Sequence, residues 1–178
     1  ILPSMQRNYV WSPQKICDLF DSLASGYPIG TFLFWRVNKE KTKELVFNKF
    51  IGCYDESNPI QRGEAVIAKL DEYLAVLDGQ QRITSLNIGI NGRMHLRKKK
   101  RSTKFVDKFL ALNVFHDTEA TDGEATNHYV FEFREAADLE VIPRIGEDGP
   151  VDYDKPFWVS VNKIAAPDFD ENDFVDEL

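Results

Sequence analysis

One segment constrains the fold of this chain more than any other, because an apolar run, a polar turn and a helical pattern follow each other directly. Residues 73–77 form an apolar run of the length of a buried strand. Ile83, Leu86 and Ile90 then recur at helical spacing, and Asn91-Gly92 is a helix stop. Between them lies the polar turn, which consists of Asp78, Gly79, Gln80, Gln81 and Arg82. The segment therefore predicts a buried strand that leads through a polar turn into a helix.

The polar turn has two interpretations at the level of residue chemistry. A turn between a strand and a helix directs backbone N–H groups and the positive end of the helix dipole at one point, where phosphate is the anion most often bound. Alternatively, Asp78 caps the helix with Gln81 three residues later, as in a capping box, and Gly79 serves the tight turn. Capping leaves Gln80 and Arg82 without a role. The residues alone leave both interpretations open.

Three motifs, with matching order and spacing over residues 2–90, resemble a known family. Asp78-Gly-Gln-Gln-Arg82, followed by Ile-Thr-Ser-Leu, resembles the signature of the ParB-like family that forms the amino-terminal half of GmrSD-type, modification-dependent restriction endonucleases. Pro3-Ser-Met-Gln-Arg-Asn-Tyr-Val-Trp11 is similar to the opening motif of that family, and residues 26–30 are similar to its glycine-bounded turn. Ser85 departs from the threonine that is more common at its position, but it keeps the hydroxyl.

This resemblance implies an α+β fold with a mixed sheet of the ParB/sulfiredoxin type, flanking helices and extra carboxy-terminal β-strands. It also implies a domain that binds and hydrolyses a nucleoside triphosphate (NTP) with Mg²⁺ and that regulates or senses DNA in a restriction and phage-defence system. The nuclease would then be a domain or subunit outside this chain.

The resemblance also assigns the site residues, which we expect to converge on one concave site. The expected catalytic residues are Asp78, Gln80, Gln81 and Arg82. Arg82 would neutralise charge on the phosphate, Gln80 or Gln81 would orient a water molecule, and Asp78 would hold Mg²⁺ or fix Arg82. The expected nucleotide-binding residues are Gln6, Arg7, Tyr9, Gly79, Arg82 and Thr84.

Two other functions remain open for the same motif. In the first, the protein is a non-catalytic DNA-binding module and the motif binds a DNA phosphate. In the second, the motif is a ParB-like nuclease centre. The chain has no P-loop motif, which excludes a P-loop NTPase, and no dinucleotide-binding glycine motif, which argues against a Rossmann cofactor site. Its three histidines, His95, His116 and His128, lack metal-ligand spacing.

A basic stretch stands out from a chain whose formal net charge is −7. Its five consecutive cations are Arg97, Lys98, Lys99, Lys100 and Arg101. Such a run contacts nucleic acid by neutralising phosphates, or it is an ordinary solvated loop. We predict that it lies in an exposed loop or at a strand end and contributes to DNA affinity.

The rest of the chain predicts one domain at residues 1–166 and an acidic tail, or the start of a linker, at residues 167–178. Ser12-Pro13 predicts a helix start, followed by an apolar face that ends before Gly26. A buried strand is predicted at residues 31–37, further strands at residues 45–51, 109–115, 129–133 and 157–161, and a weaker helix at residues 59–70. The strand at residues 129–133 should have one wet face, because Phe131 and Phe133 alternate with Glu132. The chain has no run of about 18 apolar residues and so no predicted membrane span. Cys17 and Cys53 lack metal-ligand spacing and fit a reducing cytoplasm.

Overall fold

The computed structural model describes residues 1–5, 7–38, 45–58, 60–61, 63–65, 72–99, 101–116, 128–146 and 149–176, without the side chains of Asp173 and Asp176. The strands are β1 (Leu2–Pro3), β2 (Leu33–Asn38), β3 (Phe47–Asn48), β4 (Cys53–Asp55), β5 (Glu72–Asp78), β6 (Arg93–Arg97), β7 (Phe105–Asn113), β8 (Phe131–Arg134) and β9 (Trp158–Ser160). The helices are α1 (Pro13–Ala24), α2 (Gln80–Asn91), α3 (Val161–Ile164) and α4 (Glu171–Asp176). The predicted α+β class is confirmed.

Helix α1 begins where the sequence predicts it. The Ser12 hydroxyl accepts a hydrogen bond from the Lys15 amide at 3.4 Å, and Pro13 occupies the first helical position. Ile16, Leu19 and Phe20 are buried on one face of the helix. This face packs against the sheet because apolar residues at helical spacing form one continuous stripe.

A five-stranded mixed sheet forms the larger part of the fold. Its strands lie in the order β4-β6-β7-β8, and β9 also pairs with β7. The β4–β6 pair is parallel, while β6–β7, β7–β8 and β7–β9 are antiparallel. Phe133 of β8 is buried and Glu132 is exposed, so the predicted wet face of this strand is confirmed.

The main core lies between this sheet and helices α1 and α2. It includes Phe20 of α1, Ile88 of α2 and the sheet residues Met94, Leu110 and Phe133. At Gly89 of α2, an added Cβ would meet the ring of Phe20 and the side chain of Leu110. The two helices therefore approach each other and the sheet closely at this glycine.

Strands β2 and β5 form a separate antiparallel pair, and the predictions for them are only partly correct. The strand predicted at residues 73–77 is confirmed, and Ala75 and Val76 are buried. The predicted full burial is wrong, because Leu74 and Leu77 are 53% and 43% exposed. The strand at residues 31–37 is likewise mostly exposed, with Val37 as its buried residue. An apolar run signals a strand but does not tell how many of its faces will be covered.

The segment before β5 also differs from its prediction. Residues 60, 61 and 63–65 are not helical, and the remainder of the predicted helix at residues 59–70 lies outside the described residues. Ala65 instead forms an isolated antiparallel bridge with Asn48 of β3, which is shorter than the strand predicted at residues 45–51. Gly63 lies so close to the Lys49 carbonyl that a Cβ would overlap it. Pairing with β3 therefore overrides a weak helical pattern.

The acidic tail contains helix α4 and contributes to packing. The ring of Phe174 stacks on the buried Phe157, with centroids 6.2 Å apart. Among the described residues, no helix has the length and apolarity needed to cross a membrane.

Candidate functional site

A cleft lies between the amino-terminal segment, the β3 region and the start of helix α2. We define it by its lining residues, which are Leu2, Pro3, Arg7, Tyr9, Asn48, Ile51, Gln61, Gly63, Gln80, Gln81 and Thr84. The cavity volume of about 30 Å³ leaves room for two or three water molecules. The cleft brings together Arg7, Tyr9, Gln80, Gln81 and Thr84, five of the residues expected at the site.

The charge of this lining suits an anion. Arg7 is its cation, and no carboxylate is among the described lining residues, although the chain carries a net charge of −7. The side chains of Arg7 and Gln80 have no hydrogen-bond partner in the described part of the protein. Gln80 is also the first residue of α2, whose opening amides have no acceptor within the helix. The cleft therefore offers a guanidinium, a side-chain amide and a helix N-terminus without a facing negative charge.

Gln81 lines the cleft, but its amide group holds the backbone of the amino-terminal segment. Its Oε1 accepts a hydrogen bond from the Val10 amide at 3.0 Å, and its Nε2 donates to the Asn8 carbonyl at 3.2 Å. Gln81 is 6% exposed. Its side-chain amide pairs with the backbone of residues 8–10 in the way that the backbone of a neighbouring strand would. Gln81 therefore fixes the wall of the cleft, and its amide is not free to orient a water molecule.

Arg82 points away from the cleft, which contradicts its expected place in the site. Arg82 is two residues from both Gln80 and Thr84, which is about 200° of rotation around the helix. Its guanidinium donates to the carbonyls of Ile29 and Thr31, the second bond at 2.6 Å. The group also lies over the ring of Phe32, 4.8 Å from its centroid. Arg82 thus holds the glycine-bounded turn of residues 26–30 against α2.

Gly79 and Asp78 have structural roles at the end of β5. Gly79 is the N-cap residue of α2 with a φ of 84°, a left-handed conformation that favours glycine, and no side chain caps the helix. The capping role considered for Asp78 is therefore wrong. The Asp78 side chain is 72% exposed and lies 3.9 Å from Arg82. Because Asp78 does not line the cleft, its expected position there as a Mg²⁺ ligand does not fit this arrangement.

Tyr9 belongs to both the cleft and the core. Its hydroxyl hydrogen-bonds the Ser85 hydroxyl at 2.7 Å, and the Ser85 hydroxyl also lies 2.8 Å from the Gln81 carbonyl. Burial raises the pKa of Tyr9 above its ordinary value. The hydroxyl at position 85, where the sequence departs from the more common threonine, thus anchors Tyr9 to α2.

Gln61 lines the cleft, and its side chain bonds the Asp55 amide and the carbonyls of Asp55 and Asn58. No sequence motif marks Gln61, which was therefore missed as a cleft residue. Gln6, which was expected at the site, lies outside the described residues.

The basic stretch forms the turn between β6 and β7. Arg97 ends β6, and Lys98, Lys99 and Arg101 are exposed as predicted, while Lys100 lies outside the described residues. Arg97 pairs with Glu56 at 3.7 Å, and Lys98 pairs with Glu135 at 3.2 Å. Lys99 and Arg101 make no ion pair with the described residues. The basic turn is thus separate from the cleft, and its contribution to DNA affinity stays a prediction.

The fold and the cleft together define the class of this protein: an α+β domain with an anion-suited cleft beside a helix N-terminus. Comparison of the sequence with protein families identifies the family. The chain belongs to the family described as the GmrSD restriction endonuclease N-terminal domain, whose sequence model matches residues 1–155. The chain is also similar to an uncharacterized protein of Methanocaldococcus jannaschii, with 40% identity over 85 residues. That match covers 48% of this chain and 13% of the relative, so the chain spans a small part of that protein.

Proposed function

We propose that this domain binds a nucleoside triphosphate as a regulatory or sensing part of a modification-dependent restriction system. The observation that carries the proposal is the cleft, in which Arg7 and Gln80 stand free in a lining without carboxylates among the described residues. Charge-assisted hydrogen bonds from a guanidinium to phosphate oxygens are strong, and backbone amides at a helix N-terminus add to them.

The size of the cleft limits which part of the nucleotide enters it. A volume of about 30 Å³ has room for only a few water-sized groups, so the phosphate is the part of a nucleotide that suits it. We therefore place a terminal phosphate beside Gln80 and Thr84, with the rest of the nucleotide outside the cleft. Specificity for the base would then come from groups beyond the cleft lining.

The positions of Arg82 and Asp78 support binding more strongly than hydrolysis. The groups expected to neutralise charge on the transferred phosphate and to hold Mg²⁺ lie away from the cleft. Any Mg²⁺ that accompanies the nucleotide would be held mainly by the phosphates, as is common for this ion. We derive no catalytic step from this arrangement.

Family membership supports the biological part of the proposal. Within a restriction endonuclease, an N-terminal domain that binds nucleotide would control a nuclease domain or subunit that acts on DNA. Among the described residues, no group of three or more acidic, histidine or cysteine side chains is placed to hold a metal ion.

Calorimetric titration with ATP, GTP and inorganic triphosphate, each with and without Mg²⁺, tests the proposal. We expect inorganic triphosphate to bind, because the cleft recognises phosphate. Arg7→Ala should weaken binding at least about tenfold, since the loss of a charge-assisted hydrogen bond amounts to about 1.5–3 kcal/mol. Arg101→Ala is the matched control, because Arg101 is an exposed arginine outside the cleft.

Equal binding by both variants, or no binding of any triphosphate, would contradict the proposal. Phosphate release measured in the same samples tests hydrolysis separately. Phosphate release could persist in Arg7→Ala but disappear in a folded Arg82→Ala protein. That result would place the reacting phosphate on the other side of α2.

DNA contact by the basic turn is a second candidate function. The observation that favours it is that Lys99 and Arg101 are exposed beside the ion-paired Arg97 and Lys98. This function does not compete with nucleotide binding, because the turn and the cleft have no lining residue in common.

A further inference from the structure

A second concave surface lies next to the cleft along the chain. Tyr9 lines the cleft, whereas the following residues Val10 and Trp11 line this second surface, which we call the groove. Pro13, Tyr54 and Leu96 complete its apolar wall. Its volume of about 400 Å³ lies in the range that is usual for small-molecule sites.

The groove is aromatic, and its apolar side chains are partly buried. Trp11, Tyr54 and Leu96 are half-buried and pack with one side against the main core. The rings of Tyr9 and Tyr54 meet edge to face with centroids 5.9 Å apart, which fixes the Tyr54 ring at the boundary between cleft and groove. Burial raises the pKa of Tyr54 above its ordinary value. Val10 is nevertheless 63% exposed, so the groove presents apolar surface to solvent.

Positive charge borders this apolar surface. Arg97 lines the groove and lies over the ring of Phe105, 5.0 Å from its centroid. Lys15 lies 6.0 Å from the centroid of the Trp11 ring. Lys99 and Arg101 follow on the basic turn and are exposed.

One carboxylate also lines the groove, and it is already engaged. Glu56 accepts a hydrogen bond from the Arg97 amide at 2.7 Å, and its second oxygen lies 3.7 Å from Arg97 Nε. Its charge is thus directed at Arg97. Glu56 and the neighbouring Asp55 also raise the pKa of Tyr54. Lys15, Lys99 and Arg101 are the cations near the groove that make no ion pair with the described residues. An aromatic recess with a cationic rim suits a ligand that combines a flat ring with phosphates.

We propose that the groove binds an unpaired nucleobase of a DNA strand, with the adjoining phosphates on Lys99 and Arg101, which make no ion pair with the described residues. Aromatic side chains bind bases by stacking, and basic residues along the strand neutralise its backbone. A base within a duplex is stacked and paired, so it reaches such a recess only when it is single-stranded or extruded. The proposal rests on DNA contact by the basic turn and not on nucleotide binding in the cleft, which uses different residues.

Fluorescence anisotropy with the full chain tests this site. The probes are a short labelled single-stranded oligodeoxynucleotide, its abasic counterpart with the same phosphates, and the corresponding duplex. Stacking of one base should make the first probe bind about 5- to 100-fold more tightly than the abasic strand. The duplex should bind more weakly than the single strand.

Two variants with the same substitution locate the interaction. Val10→Glu places a carboxylate in the groove, and Val141→Glu is the control, because Val141 is 61% exposed and outside the groove. We expect Val10→Glu to abolish the preference for the base-containing strand, while Val141→Glu keeps it. Tyr54→Leu, which keeps an apolar side chain but removes the ring, should reduce the preference in a protein of parental melting temperature.

Three results would overturn the proposal. The first is equal affinity of the parent for the base-containing and abasic strands, which would show that phosphate contacts alone hold the DNA. The second is an equal effect of Val10→Glu and Val141→Glu. The third is binding of an apolar peptide that is sensitive to Val10→Glu when the oligonucleotide does not bind, which would make the groove a peptide site.

Discussion

Arg7 and Arg82 lie on different sides of the start of helix α2, although the sequence motifs predict that they meet at one site. Arg7 lines the cleft with Gln80 and Thr84, whereas Arg82 bonds the carbonyls of Ile29 and Thr31. Consecutive residues of one motif therefore do different work: Gln80 faces the cleft, Gln81 holds its wall and Arg82 holds a turn. The expected single site thus divides into a binding surface and its supports.

This division predicts different effects for the two arginines on folding stability. Arg82→Ala should lower the free energy of unfolding by about 1–3 kcal/mol, because two carbonyls lose a charged donor and the Phe32 ring loses its cation. Arg7→Ala should change it by no more than about 0.5 kcal/mol, since Arg7 is exposed and unpaired among the described residues. Urea unfolding measures both. An unchanged midpoint for Arg82→Ala would show that the hydrogen bonds of its guanidinium are not stabilising.

The two glutamines of the motif give a second matched pair. Gln81→Glu keeps the acceptor for the Val10 amide but sets a carboxylate oxygen against the Asn8 carbonyl, so we expect a loss of about 1–3 kcal/mol in unfolding free energy. Gln80→Glu should leave stability nearly unchanged and abolish triphosphate binding, because it puts negative charge into the cleft. Thermal melts and calorimetry distinguish these outcomes. If both variants melt alike, Gln81 does not hold the amino-terminal segment.

The sequence predicts those features that depend on local chemistry. The start of α1 at Ser12-Pro13, the strand before Asp78 and the end of α2 at Asn91-Gly92 follow from caps, apolar runs and helix stops. The α+β class is what the resemblance to the ParB-like family implies. Residues of the opening motif and of the polar turn also do meet, since Arg7 and Tyr9 line the cleft with Gln80 and Gln81.

Side-chain direction and burial could not be predicted in the same way. The buried face of α2 carries Gln81, Thr84 and Ser85 beside Ile88, whereas the apolar pattern of Ile83, Leu86 and Ile90 is only half-buried. Hydrogen bonds to distant segments make these polar residues suitable for the interior, and no local pattern reveals such partners. The same limit explains why Gln61 was missed and why Arg82 was placed in the site.

Residues beyond the family match should prove essential for stability. Phe157 is 2% exposed, and β9, which follows it, pairs with β7. Phe157→Ala should lower the free energy of unfolding by about 3–5 kcal/mol, because it leaves a cavity in a packed core. Tyr153→Ala is the control, since Tyr153 contacts Phe115 but is 65% exposed. Denaturant unfolding measures both, and a similar small loss for the two variants would show that this region is peripheral.

The basic turn should determine part of the salt dependence of DNA binding. Arg101→Glu should make the negative slope of the log DNA-binding constant against log salt concentration less steep. The expected change is about 1 for each phosphate that the turn no longer neutralises. Lys155→Glu is the control, because Lys155 is a surface cation paired with Asp152 and distant in sequence from the turn. Both variants change the net charge equally, so a local interaction predicts a difference between them. Identical slopes for Arg101→Glu and the parent would remove Arg101 from the interface.

Asp107 should stabilise the folded protein except in acid. Its carboxylate contacts His95 Nδ1 at 2.7 Å and Arg93 Nε at 2.8 Å. The hydrogen bond to His95, followed by the charge of Arg93, lowers the pKa of Asp107 below its ordinary value of 3.8. The folded state therefore holds this proton less tightly than the unfolded state does. The stabilisation is complete above the ordinary value and is lost as the pH falls through the lowered pKa.

This predicted loss of stability at low pH can be tested by comparing the parent with Asp107→Asn. At neutral pH the variant should be less stable by at most about 1 kcal/mol, because the ion pairs are exposed to solvent. The difference should shrink as the pH is lowered below about 4, since the parent alone loses the Asp107 contribution there. Urea midpoints across this range measure the effect, with Asp138→Asn, on the exposed turn after β8, as the control. A constant difference between the parent and Asp107→Asn at every pH would show that the loss comes from packing and not from the charge of Asp107.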